Sequence, residues 1–152
     1  MKKLCKNISD TKEFAGKLLS LAEKKAKINS KNNKATIIAL SGDLGSGKTA
    51  ITKILGAEIG IKGRIPSPTF IIERRYKLPK GLIWEKLIHI DAYRLSKESE
   101  LLRLGWGENI ANKNNLIIIE WPENVKKIIP KEALWVKFTH KGETERLIET
   151  LK

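Results

Sequence analysis

The chain has 152 residues, enough for one domain over 1–152 that buries roughly two-thirds of its unfolded surface, and its 41% hydrophobic and 31% charged content excludes extended disorder. The longest strongly apolar runs, such as Leu116 to Ile119, fall far short of the ~20 residues that cross a bilayer, and one cysteine, Cys5, excludes an internal disulfide. The formal charge of +13 is dispersed over nearly every segment, so by itself it locates no nucleic-acid site.

Met1-Lys2-Lys3 has the charge of a secretory leader, but Cys5 to Lys12 is polar where an apolar segment would follow. A cytoplasmic chain is expected, with Cys5 an unremarkable thiol near a loose terminus. Asp10, with Glu13 three residues on, is expected to cap a helix whose apolar face is Phe14, Leu18, Leu19 and Ala22, running to about Lys27. Thr36 to Leu40 is β-branched and short, as in a buried strand. Past a glycine-rich turn, Ile51, Ile54, Leu55 and Ile59 have helical spacing over Lys48 to Ile59, and Gly60 is placed to stop that helix.

Pro66 and Pro68 hold the next segment extended, and Phe70 to Tyr76 and Leu82 to Ile90 read as a hairpin turning through Pro79 and Gly81. Glu98 to Leu104 is a short helix stopped by Gly105, and Leu116 to Ile119 is a second buried strand closed by Pro122. Leu134 to Thr139 and Arg146 to Leu151 flank the Lys141-Gly142 turn as a final antiparallel pair. Trp84, Trp106 and Trp135 read as packing residues, and Lys24-Lys25 and Lys126-Lys127 as solvated faces. Strands alternating with helices predict an α/β fold, with a mostly parallel sheet, helices on its faces and antiparallel additions.

Gly42-Asp43-Leu44-Gly45-Ser46-Gly47-Lys48-Thr49 completes the pattern G-x-x-x-x-G-K-T between a strand and a helix, the setting a phosphate loop requires. Glycines let successive N–H groups turn inward around phosphate oxygens. Lys48 would reach the β- and γ-phosphates and Thr49 would offer a hydroxyl to Mg²⁺. The fold expected is therefore the three-layer P-loop NTPase arrangement. The loop does not read the base, but Asn112-Lys113-Asn114-Asn115 lacks the aspartate of guanine-selective GTPases, so ATP is expected.

Ligands of open parallel sheets gather beyond the strands' carboxyl ends, where Asp91 and Glu120 each follow an apolar run. Either carboxylate could ligate Mg²⁺, hold one of its waters, or orient the attacking water. Strand alternation puts His89 on the face of Asp91, within reach of a hydrogen-bonded pair, with His89 structural rather than catalytic. Trp121 either stacks near a nucleotide or anchors its loop. Ser67 and Thr69 lie in the connector where P-loop proteins keep a phosphate-sensing switch, which makes Thr69 a second candidate near Mg²⁺.

Together with the phosphate loop, Ser67-Pro68-Thr69-Phe70, His89-Ile90-Asp91-Ala92-Tyr93-Arg94-Leu95, Glu100 with Gly105, and Glu120-Trp121-Pro122-Glu123 resemble the TsaE (YjeE) ATPases of tRNA threonylcarbamoyladenosine synthesis. The resemblance runs from the first helix nearly to the end. It implies an Mg²⁺-dependent ATPase working with TsaB and TsaD on adenosine 37 of tRNAs reading codons that begin with A, its hydrolysis driving or resetting their complex. It further implies nucleotide contact by Asp43, Leu44, Gly45, Ser46, Gly47, Lys48, Thr49 and Ala50, with Trp121 close by and Thr11 near the adenine. Thr49 and Glu120 would hold Mg²⁺, and Asp91 would support hydrolysis alongside Lys48 and Glu120. Ala50 replaces the family's commoner Thr or Ser, and Trp106 a usual aliphatic residue. Two other readings share the phosphate loop: a small nucleotide or metabolite kinase, which would need an acceptor pocket and an arginine-bearing lid, and a basic ATP-dependent RNA-binding adaptor.

Overall fold

In a computed structural model that describes residues 1–151, seven strands form one sheet in the order β1-β7-β6-β2-β5-β4-β3. They are β1 (Lys2–Cys5), β2 (Thr36–Gly42), β3 (Glu73–Lys77), β4 (Lys86–Asp91), β5 (Asn115–Glu120), β6 (Leu134–His140) and β7 (Arg146–Thr150). The centre, β6-β2-β5-β4, is parallel, whereas β3 joins β4, β7 joins β6, and β1 joins β7, all antiparallel. This is the expected mostly parallel sheet with antiparallel additions, in the P-loop NTPase arrangement.

Alternation along the central strands builds two cores. Ile38, Leu40, Leu87, Leu116, Ile118 and Val136 face α1 (Ile8–Asn29) and α2 (Lys48–Glu58), where Phe14, Leu18, Ile51 and Leu55 are fully buried. Ile37, Ala39, Ile88, Ile90, Ile117 and Ile119 face the opposite layer of α3 (Glu98–Leu102), α4 (Trp106–Ile110) and the 3₁₀ segment Pro122–Ile128. Three layers result because strands buried on both faces need helices on both. Among the described residues no helix is long and apolar enough to cross a membrane.

Several local expectations shift. The first helix starts at Ile8, capped by Asn7, whose side-chain oxygen accepts from the Asp10 N–H at 3.0 Å; Asp10 instead accepts from the Lys6 N–H at 2.9 Å. An asparagine with extended backbone satisfies the first free amides better than a residue already inside the turn. Cys5 is not at a loose end: β1 pairs with β7, Cys5 opposite Arg146, and its thiol is buried, which pushes its pKa up. Only one of the four β1 residues is buried, too few for an alternating pattern to show.

Phe70 to Ile72 is a turn rather than strand, because the Pro68 carbonyl accepts from the N–H groups of both Ile71 and Ile72. Ile72 there has φ +68°, a left-handed conformation crowded for a β-branched side chain. Likewise β4 begins only at Lys86: the Leu78 N–H donates to the Glu85 carbonyl, and Trp84 turns inward, its indole N–H donating to Thr36 Oγ1 at 3.1 Å. The helix expected over Glu98 to Leu104 ends already at Leu102, with Arg103 as its cap, and Gly105, at φ +85°, instead starts α4.

Trp106 then enters the second core, 1% exposed, with its indole N–H donating to the Ile128 carbonyl at 3.1 Å. An aliphatic residue could fill this space but not satisfy that carbonyl. Trp106→Ala is expected to lower unfolding free energy by about 3–5 kcal/mol in urea titration, the usual cost of emptying an aromatic core site.

Candidate functional site

Parallel register sets the site's floor. Leu40 lies opposite Glu120, and Glu120 opposite Asp91, so β5 and β4 end level with Leu40, two residues before β2 itself ends. Glu120 and Asp91 share strand parity with Ile118 and Leu87, so both carboxylates project toward the α2 layer. They are nevertheless only 2% and 4% exposed.

Over that edge, β2 runs straight into the loop that opens α2. Gly42 has φ +147°, and a Cβ there would stand 2.6 Å from the Phe138 carbonyl oxygen, so no other residue lets β2 leave the sheet beside β6. Gly47, at φ +105°, directly precedes α2, whose first amides lack intrahelical partners and whose dipole favours an anion. Lys48 is buried, with Nζ donating to the carbonyls of Gly42 at 2.5 Å and Asp43 at 2.8 Å. Burial pushes its pKa down, against the pull of the Glu120, Glu123, Asp91 and Asp43 carboxylates.

Thr49 Oγ1 lies 3.1 and 3.0 Å from the two Glu120 oxygens, joining residues 71 apart in sequence. His89 Nε2 meets Glu120 Oε1 at 2.8 Å, so the partner of His89 is Glu120 and not Asp91. Asp91 is engaged elsewhere: Thr69 donates to Oδ2 at 2.6 Å and the Tyr93 N–H to Oδ1 at 2.9 Å. Residue parity placed His89 beside Asp91, but the neighbouring strand brings a carboxylate of better reach.

A cleft of about 320 Å³ gathers Leu44 to Ala50 with Thr69, Asp91, Glu120 and Trp121. The Trp121 ring lies over the Lys48 ammonium at 4.1 Å, with the Tyr93 ring 4.9 Å from it on centroids. Trp121 lines the cleft and, at φ +57°, turns the chain into the 3₁₀ segment. Asp43 reaches the loop through its backbone carbonyl, its side chain being exposed, and Leu44 is 73% exposed.

Thr11 stands outside this cleft, in an adjoining one of about 370 Å³ that shares Gly47 and Ala50 with it. That second cleft contains Arg146, a residue the sequence did not single out. A Cβ on Gly47 would come within 3.3 Å of Arg146 Cδ, and Arg146 Nε is buried with no hydrogen-bond partner. Its only sequence signal is a cation among the apolar positions of a strand; the position against the loop comes from β7 lying next to β6.

The oxygen-rich set of Thr49, Glu120 and Asp91 suits a hard cation such as Mg²⁺. Among the described residues no cluster of three or more His, Cys, Asp or Glu could hold a metal alone. Such an ion would draw most of its ligands from phosphate and water.

A family model described as Threonylcarbamoyl adenosine biosynthesis protein TsaE matches residues 5–148. A Streptomyces coelicolor protein named tRNA threonylcarbamoyladenosine biosynthesis protein TsaE is 37% identical over 102 residues, covering 64% of this chain and 64% of the relative. A Bacillus subtilis protein of the same name is 34% identical over 112 residues, covering 74% of this chain and 66% of the relative. The match thus spans slightly less than two thirds of either relative's length. Bacillus subtilis YdiB, a crystal structure, aligns with 99% of this chain and 83% of its own at TM-score 0.67 and 27% identity.

Because Trp121 stacks on the ammonium that would meet phosphate, adding a nucleoside triphosphate is expected to shift tryptophan emission. Trp121→Phe should abolish the shift in a fluorescence titration, while Trp135→Phe, remote from the cleft, should leave it intact.

Proposed function

The chain belongs to the TsaE family, and on that footing we propose that it is a cytoplasmic Mg²⁺-dependent ATPase acting in threonylcarbamoyladenosine modification of tRNA adenosine 37. Its ATP hydrolysis drives or resets a complex of TsaB and TsaD, and tRNA is met through that complex. The observation that carries this reading is the buried Glu120 carboxylate held against the Thr49 hydroxyl at the mouth of the phosphate loop.

In this reading the amides of Gly45 to Lys48 and the Lys48 ammonium hold the β- and γ-phosphates, with Ala50 beside them at the loop's exit. Lys48 is already desolvated and surrounded by backbone oxygens, so it exchanges two carbonyl partners for phosphate oxygens and recovers charge pairing. Thr49 and Glu120 would hold Mg²⁺ together, with the Thr49 hydroxyl donating its proton to the carboxylate. Bound there, the ion would draw negative charge off the transferring phosphoryl group. Asp91, anchored by Thr69 and the Tyr93 amide, orients the attacking water, and the Thr69 contact ties that carboxylate to the Pro66 to Ile72 turn. Trp121 packs against the phosphate end, while Thr11 and Arg146 line the space for the base.

Reconstitution with TsaB, TsaD and tRNA tests the proposal. Omitting this chain should stop multiple-turnover modification, and Lys48→Ala or Glu120→Ala should each lower stimulated ATP turnover by about 10²-fold or more, the scale of losing one preorganised charge-stabilising group. Turnover unchanged in both variants would overturn the assigned site. Stoichiometric phosphate transfer to a small acceptor would favour a kinase instead.

A further inference from the structure

We propose that His89 is a positioning residue for Glu120: its Nε2–H, donating to Oε1, holds the carboxylate turned toward Thr49 and the phosphate loop. The inference rests on the reading above, that Glu120 and Thr49 form the metal-nucleotide edge.

His89 is fully buried in β4, and Glu120 is 2% exposed at the end of β5. Their contact of 2.8 Å spans the β4–β5 pair, in which His89 lies opposite Ile118, one strand repeat before Glu120. A carboxylate has only acceptors to offer, so Nε2 carries the proton whatever the state of the second nitrogen. That second nitrogen, Nδ1, is buried without any hydrogen-bond partner.

A residue serving only as core filling would not look like this. The neighbours on the same face are Leu87, Leu116 and Ile118, all buried, and an aliphatic side chain here would avoid burying an unpaired ring nitrogen. The imidazole is offset by one favourable feature, a charge-assisted bond to a carboxylate. Glu120 in turn has two side-chain partners, Thr49 and His89. Thr49 sits on α2, on the side where phosphate and metal would bind. Of the two, only His89 ties the Glu120 carboxylate to a neighbouring strand. Without it, the carboxylate could follow the Thr49 hydroxyl or rotate away from it, so the sheet would no longer determine where the acceptor oxygens point.

The test compares two polar variants of the full chain. A Gln amide can place its donor near the Nε2 position, whereas an Asn amide places it near Nδ1, away from Glu120. Apparent Mg²⁺ affinity is read from Mg²⁺-dependent tightening of a fluorescent ATP analogue, with nucleotide affinity in EDTA as the reference. His89→Asn should weaken apparent Mg²⁺ affinity roughly tenfold or more, as losses of groups that orient metal ligands do, with His89→Gln within about threefold of the parent and EDTA affinity little changed in both. Equal Mg²⁺ affinity in the two variants, with Glu120→Ala strongly impaired, would overturn the positioning role and leave the site assignment standing. Mg²⁺ dependence that survives Glu120→Ala would overturn the site assignment and this inference together. A second measurement needs no variant of His89: in the parent protein in EDTA, ¹⁵N-labelled histidine should show a slowly exchanging Nε2–H that Glu120→Ala removes. Absence of that proton in the parent would also overturn the proposal.

Discussion

Parallel pairing of β5 with β2 on one side and β4 on the other sets Leu40, Glu120 and Asp91 level across the sheet. Each of those strands is buried on both faces, so a slip by one residue would move its apolar rows to the opposite cores, and in β5 or β4 would carry Glu120 or Asp91 with them. Register is therefore overdetermined by burial, and the site inherits its precision from the core. The phosphate loop gains its position the same way, because it is the direct continuation of β2, the strand flanked by β5 and β6.

The second constraint is electrostatic. Lys48, Glu120, Asp91 and His89 are all buried within a small volume, where an unpaired charge would be costly. Each carboxylate therefore has assigned donors: Thr49 and His89 for Glu120, Thr69 and the Tyr93 amide for Asp91. Lys48 has carbonyl oxygens and the face of Trp121. Such a network resists distortion because moving any one group strands another. The strained backbone at Ile72 and Trp121 flanks this network on its two loops, where the surrounding contacts hold conformations the residues would not choose alone.

Much of this was legible beforehand. The glycine-rich loop, its strand and its helix were readable because each rests on local sterics: β-branched residues in a row, glycines at required turns, apolar residues at helical spacing. Asp91 and Glu120 were found as the first charges after apolar runs, a signal that needs no knowledge of neighbours. Where local pattern misled, a nonlocal partner had intervened. Trp84 falls within the Leu82 to Ile90 run that reads as strand, yet it lies before β4 and is buried by turning inward onto Thr36. Asp10 looked like a cap because Glu13 follows, yet Asn7 lies one turn earlier and has the extended backbone a cap needs.

Sequence alone determined the class of fold, the phosphate loop and the two carboxylates at strand ends, since periodic burial and backbone freedom are written into neighbouring residues. Tertiary structure decided who meets whom: that His89 holds Glu120 and not Asp91, that Arg146 lies against Gly47, and that β1 closes the sheet beside β7 and buries Cys5. The reason is physical. A strand's periodicity states which side chains share a face, but the identity of the adjacent strand and the level at which it pairs depend on how two separate cores fill, a condition no single segment contains.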